Sequence, residues 1–296
     1  MKLILKEGSW SNATAFHLED LYREHFELTT DLSSDGIVYA HWLDWEWAKS
    51  LNRPAIIDHL WDYKDRGPKI QETDQIKVIH HDDWFFPANE CLWYDALGYQ
   101  DYIASNVNDR DFLMFINRRK PERDEIWRAT GLLRGNSFAS YQGMGVPMYG
   151  DIDPTLGEWQ RHLNKEWYDR TRYSVVVENR IDTIFITEKI LKPLAFGHPF
   201  IAWSAPGTLE RLRKLGFKTF DNCIDESYDL EKDNSKRLSM IVDEIRRLNS
   251  SSQDYFPDHE TQSRVNHNHT TFYDTVQAKQ HFVNNLFAVI KNFHQA

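Results

Sequence analysis

Tyr173-Ser174-Val175-Val176-Val177-Glu178-Asn179-Arg180 is the stretch that decides the fold. Its apolar run has no period-2 alternation, which marks a strand covered on both faces, as in a parallel sheet. The helical pattern Ile186–Phe196 follows, entered through Thr187-Glu188-Lys189, and Pro199–Trp203 reads as the next strand. Working back, Phe112–Ile116 is a strong strand and Pro121–Leu133 a helix with proline in its first turn. Ser137–Tyr141 is a weak strand, and residues 142–165 read as irregular. Further on, Thr208–Leu215 reads as helix, Lys218–Phe220 as a short strand, and Ser235–Leu248 and Thr271–Phe293 as amphipathic helices. Towards the amino end, Lys2–Leu5, Gly36–Ala40, Pro54–Ile57, Ile76–Ile79 and Tyr102–Ala104 read as strands. Phe16–Phe26, Asp44–Leu51 and Cys91–Leu97 are the helices among them. The alternation predicts an α/β chain with two Rossmann-like domains and a ligand cleft between them. The turn-prone run Ser105–Asp109 sets the expected boundary, giving domains 1–106 and 107–296.

The 296 residues and 41% hydrophobic content suit two folded domains of ordinary size. Cys91 and Cys223 are too few for a disulfide framework, and no stretch approaches the roughly 18 apolar residues of a membrane span. Met1–Glu7 lacks a secretory apolar core, so the expectation is a cytoplasmic protein. The net charge of −10 falls wholly in residues 1–106, which hold 9 basic and 19 acidic side chains. The same residues contain 7 of the 11 tryptophans, four of them within Trp42–Trp61. An acidic face repels a phosphate backbone, whereas indoles beside carboxylates suit sugars. Ordinary core packing is the competing reading for each tryptophan.

Ligands of open α/β sheets gather at the carboxyl ends of strands, and helix starts favour anions. Glu178 and Asn179 end a strand here, and Thr187 is a suitable N-cap. Glu188 can accept from paired ribose hydroxyls and Lys189 can neutralise phosphate. Lys192 falls on the same helix face as Lys189. A surface Glu/Lys pair at a solvated helix start is the plain alternative.

Glu178-Asn179, seven residues, then Thr187-Glu188-Lys189 resembles the donor-binding motif of fucosyltransferase-type glycosyltransferases. Lys192–Phe200 resembles that family's helix and following buried strand. Phe112–Leu133, with Asn117-Arg118-Arg119-Lys120-Pro121-Glu122-Arg123 after its strand, and Phe185–Asp229 look still more like uncharacterised glycosyltransferase-like proteins of phages and large viruses. The likeness spans roughly 110–230 and fades in 1–105. It implies a two-domain GT-B fold whose carboxyl-terminal domain holds a nucleoside-diphosphate sugar, with the acidic amino-terminal domain on the acceptor side. By resemblance Arg123, with Arg118 and Arg119 as alternates, binds phosphate, Glu188 binds ribose, Lys189 lies on the phosphate side, and Glu178 and Asn179 lie near the sugar. Arg180, Ile184-Phe185 and Lys192-Pro193 depart from the family pattern and leave the sugar open.

Fixed cations stabilise a departing nucleoside diphosphate without a metal. The acceptor hydroxyl needs a carboxylate base. Asp83 and Asp82, after Ile76–Ile79, rank first, with Asp44, Glu46 and Asp58 behind them. Asp151-Ile152-Asp153 mimics a metal-binding DxD but follows a Gly/Pro-rich loop rather than a strand. Adjacent His80-His81 point to opposite strand faces, and His267-Asn268-His269 reads as polar surface. The sequons at Asn12, Asn249 and Asn268 carry no weight without secretion. The expected activity is a metal-independent glycosyltransferase with no cofactor beyond its sugar nucleotide. Its acceptor is a glycan or other hydroxyl compound, or alternatively hydroxymethylated bases in phage DNA. A non-catalytic sugar- or nucleotide-binding module is the reading from another class.

Overall fold

The computed structural model describes residues 1–6, 18–59, 70–80, 84–105, 107–146, 164–250 and 258–293, with Leu18, Glu19, Trp42 and His59 described by their backbone alone. The chain forms two compact units, Met1–Leu97 with Asp274–Ala296, and Gly98–Tyr273. In chain order the described elements of the first part are β1 (Lys2–Leu5), α1 (Leu18–Arg23), β2 (Glu27–Thr29), β3 (Ile37–His41), α2 (Trp45–Ser50), β4 (Ala55–His59), β5 (Ile76–His80) and α3 (Phe85–Ala96). Then come β6 (Arg110–Ile116), α4 (Pro121–Ala129), β7 (Phe138–Tyr141), α5 (Lys165–Arg170), β8 (Thr171–Val177), α6 (Glu188–Phe196), β9 (Phe200–Trp203), α7 (Thr208–Lys214), α8 (Asn234–Ser250), α9 (His259–Phe272) and α10 (Thr275–Phe293). Among the described residues, no helix is long and apolar enough to cross a membrane.

The first unit holds a five-stranded parallel sheet in the order β2-β1-β3-β4-β5. One face packs Ile4, Val38, Ala40, Ala55, Ile57 and Val78 against Ala48 of α2. Trp45 and Trp47 lie partly buried against this core, so packing explains both. Each ring also carries a lysine, Lys49 at 5.1 Å over Trp45 and Lys6 at 5.8 Å over Trp47. Trp10 and Trp61 lie outside the described residues.

The second unit holds a four-stranded parallel sheet, β7-β6-β8-β9. Every residue of β8 and β9 is buried, as the uninterrupted apolar runs require. Gly197 ends α6 at φ +71, and a Cβ there would lie 2.6 Å from the Ile103 side chain. Only glycine meets both the left-handed backbone and the close approach.

That contact corrects the boundary expected at residue 106. Residues 99–104 belong to the second unit: the Ala104 amide donates to the Phe196 carbonyl at 2.9 Å, and the Tyr102 hydroxyl to Asp169 at 3.0 Å. A polar run resembled a linker but lies inside one unit. At the other end, the helix expected over 271–293 breaks at Asp274, whose carboxylate accepts from the Gln277 amide at 2.9 Å and starts α10. The α10 helix belongs to the first unit, where Phe282 meets Phe85 and Phe287 meets Phe26. The amphipathic pattern runs through the break and hides it. Tyr102–Ala104 and Lys218–Phe220 are not strands. Side chains replace the ladder in the latter, with Asn268 Oδ1 taking the Lys218 amide at 2.7 Å and Glu226 the Phe220 amide at 2.6 Å.

Candidate functional site

The chain leaves β6 for β7 on one side, then returns to lay β8 on the other. The topological switch point of the second sheet therefore lies between the carboxyl ends of β6 and β8, where such sheets bind ligands. Leu113 pairs with Ser174, so the two strands end level. Asn117–Lys120 and α4 follow one end, Glu178 and Asn179 the other. The two segments singled out by their sequence thus meet, although about 55 residues separate them.

Side chains tie them together. Arg123, in the first turn of α4 and 2% exposed, donates through Nη2 to Asn179 Oδ1 and through Nη1 to the Arg118 carbonyl at 3.0 Å. Its Nε is buried without a protein partner among the described residues. Lys120 Nζ donates to the Asn179 carbonyl at 2.8 Å. Burial pulls the Arg123 pKa down, and the neighbouring Glu178, Tyr141 and Glu188 work against that. A buried guanidinium stays charged and requires such partners. Gly143 supports the 117–120 turn, its amide donating to the Asn117 carbonyl at 2.8 Å. A Cβ on Gly143 would come within 2.7 Å of the Arg119 amide nitrogen.

On the other side, Glu178 is 1% exposed and accepts three bonds: from the Thr187 hydroxyl at 2.7 Å, the Thr187 amide at 3.3 Å and the Asn179 amide at 3.2 Å. Burial nevertheless holds its carboxyl above the ordinary value, against the pull of Lys189. Thr187 caps α6, accepting from the Lys189 amide at 3.4 Å. Lys189 Nζ lies 2.5 Å from Glu188 Oε1, both side chains being about a fifth exposed. Burial raises the Glu188 pKa, but Lys189 and Lys192 together bring it below normal. The half-buried Lys192 thus belongs electrostatically to the same helix start. Cations, accepting carboxylates and a helix N-terminus share one sheet edge, the chemistry that grips a phosphorylated, hydroxylated ligand.

Other expected residues lie elsewhere. Arg118 and Arg119 are exposed, and Arg119 pairs with Asp124 at 3.0 Å. Arg180 folds onto Asp182 at 2.9 Å. The N-terminus of α7 already holds Asp229, which accepts from the Leu209 and Glu210 amides at 3.1 and 3.2 Å. Lys120, Trp203 and Arg237 were not singled out in the sequence; Lys120 alone carried a signal, its place in the basic run after the strand.

The first choices for the base, Asp83 and Asp82, lie outside the described residues, as do His81, Asp151, Asp153 and Asn12. Asp44 follows β3 and pairs with Lys6, which follows β1, at 2.5 Å. That pair stands at the switch point of the first sheet. Asp58 is buried and accepts from the Tyr39 hydroxyl, while Glu46 and His80 are exposed. No cluster of metal-ligating side chains occurs among the described residues. His267 bonds the Gly216 carbonyl at 2.8 Å and His269 lies against Tyr273. Asn268 is buried with its amide on the Lys218 backbone, and Asn249 is engaged by Tyr173 and Leu133. Both sequons serve packing.

No protein-family model matches the chain, and no curated protein does. Among solved structures it is similar to an α1,3-fucosyltransferase with GDP-fucose, at 11% identity over 97% of this chain and 90% of that one, TM-score 0.45. It is also similar to an α1,3-fucosyltransferase with GDP, at 12% identity over 93% and 82%, TM-score 0.44. A third α1,3-fucosyltransferase structure aligns at 9% identity over 94% and 91%, TM-score 0.43.

Proposed function

We propose that this chain is a glycosyltransferase of GT-B type that moves a sugar from a nucleoside diphosphate to a hydroxyl acceptor without a metal ion. The observation that carries the reading is the meeting of Arg123 and Lys120 with Asn179 beside the Glu178–Thr187–Lys189 helix start, at a parallel-sheet switch point. In this reading Glu188 accepts from the ribose hydroxyls, and Arg123 and Lys189 face the pyrophosphate. The acceptor oxygen bonds to the anomeric carbon as the bond from that carbon to the phosphate oxygen breaks. The leaving diphosphate gains negative charge, which fixed cations stabilise in the transition state more than in the ground state. The acceptor proton passes to a carboxylate base, for which Asp83, Asp82 and Asp44 are the candidates by their place in the sequence.

Calorimetry with the common sugar nucleotides, in buffer containing EDTA, tests this directly. One sugar nucleotide binds the wild type and is slowly hydrolysed, and Lys189→Ala weakens binding by roughly 10-fold, about 1.4 kcal/mol. A wild type that binds none of them overturns the reading. Binding without transfer to any of a broad panel of acceptors favours the non-catalytic module.

A further inference from the structure

Among the buried charged side chains that this chemistry does not use, Arg237 stands close to the site's own loops. Arg237, in the first turn of α8, is 1% exposed. Its guanidinium donates to the Glu231 carbonyl at 2.8 Å, to Asn234 Oδ1 at 2.7 Å and to the Ile181 carbonyl at 3.1 Å. Its centre lies 5.1 Å from the ring of Trp203. Asp229, Glu231 and Asp233 offset part of the desolvation, yet every bond it makes is to a neutral oxygen, and Nε has no protein partner among the described residues. Burying an arginine in that way is unfavourable, and an apolar side chain would fill the space at less cost. Packing alone does not account for it.

Its partners do. Ile181 belongs to the loop that runs from Glu178 and Asn179 to Thr187. Trp203, fully buried at the end of β9, donates from its indole nitrogen to the Glu122 carbonyl at 3.0 Å, and Glu122 precedes Arg123. The Trp203 carbonyl accepts the Glu178 amide at 3.0 Å. Arg237 and Trp203 therefore touch both halves of the site from behind, the 178–187 loop and the first turn of α4. We infer that Arg237, through Trp203 and Ile181, is a positioning residue that holds Glu178, Asn179 and Arg123 in register for the ligand. It is too buried to reach a ligand itself. This inference rests on the donor-site reading for its consequence in binding, but not for its consequence in the loop.

The test pairs two readouts on the full chain with Arg237→Met, Arg237→Lys and, as a control on the same helix, Arg247→Met. Hydrogen exchange without ligand reports the loop; calorimetry with GDP, UDP, CDP, ADP and dTDP reports the site. In Arg237→Met, amides of 178–187 lose protection while β6 and β8 keep theirs, and the Kd of the bound diphosphate rises roughly 10–100-fold. Arg237→Lys recovers part of both, and Arg247→Met changes neither. If Arg237→Met does not fold, Trp203→Phe, which keeps a ring and removes the donor to Glu122, shows the same changes at smaller size. Unaltered exchange in 178–187, or equal losses in Arg247→Met, overturns the inference. A wild type that binds no diphosphate while the loop loosens in Arg237→Met overturns the donor reading and leaves the hold of Arg237 on the 178–187 loop standing.

Discussion

The two sheets are built alike and furnished differently. Each is parallel, and each places its switch point between the first strand of its unit and the strand that follows the crossover, β1 with β3 and β6 with β8. At the second sheet the edge carries Arg123, Glu178 and Thr187, all at most 2% exposed and bonded to one another's loops. At the first sheet the described residues show the ion pair Lys6–Asp44 at the same position, its lysine 39% exposed. The common fold supplies the place, and buried, mutually bonded charge distinguishes a site from an edge. A half-exposed pair is worth a few tenths of a kcal/mol to about 1 kcal/mol, whereas a buried charge stripped of its partner costs several.

Three substitutions press on that difference, in falling order of effect. Arg123→Met leaves Asn179 Oδ1 and the Arg118 carbonyl without their donor and removes the most buried cation of the edge. The Kd for the bound nucleotide should rise at least about 30-fold, the roughly 2 kcal/mol expected at the low end for truncating a buried hydrogen-bonded charge. Calorimetry on variant that retains wild-type circular dichroism checks this, and a change under threefold contradicts it.

Glu178→Gln keeps the shape and removes the charge. Burial lifts the Glu178 carboxyl, so the folded chain holds that proton more tightly than the unfolded chain does. The protonated acid's contribution to stability is full below the unfolded value. It is lost as pH rises from the ordinary carboxylate range through the raised folded value. Urea melts of wild type and variant across pH 4 to 8 should show the wild type losing ground to the variant over that window. The opposite trend means the carboxylate is net stabilised, and the description of Glu178 fails.

Lys6→Met should do least. The lost pair changes stability by less than about 1 kcal/mol, and nucleotide affinity stays within about twofold. A larger loss of affinity makes the first sheet's edge part of the nucleotide site and ends the contrast.

Much of this was legible in the residues themselves. Unbroken apolar runs such as Tyr173–Val177 announced buried parallel strands, and the fold class follows from them. The motif from Glu178 to Lys189 lies within one strand–loop–helix, so its bonds are local and its spacing readable. Arg123 came through by the resemblance of the basic run after the Phe112–Ile116 strand to the family's pattern, with Arg118 and Arg119 as alternates. Arg237 did not, because its partners Ile181 and Trp203 are 56 and 34 residues away in sequence and its helix looks like any amphipathic one. The three-residue β2 is too short to show a period, and α9, His259–Phe272, is too polar to show a face. Its cap Asp258, which accepts from the Glu260 and Thr261 amides, was the available signal. The unit boundary was missed because Asp274 caps a helix in the middle of a continuing amphipathic pattern.

The central claim is that the second sheet's switch point grips the nucleoside diphosphate. Hydrogen exchange of the full chain with and without a saturating nucleotide tests it most directly. New protection should fall on 117–124 and 178–192 and spare 37–46. Protection that appears first in 37–46, or leaves both segments of the second unit unchanged, contradicts it.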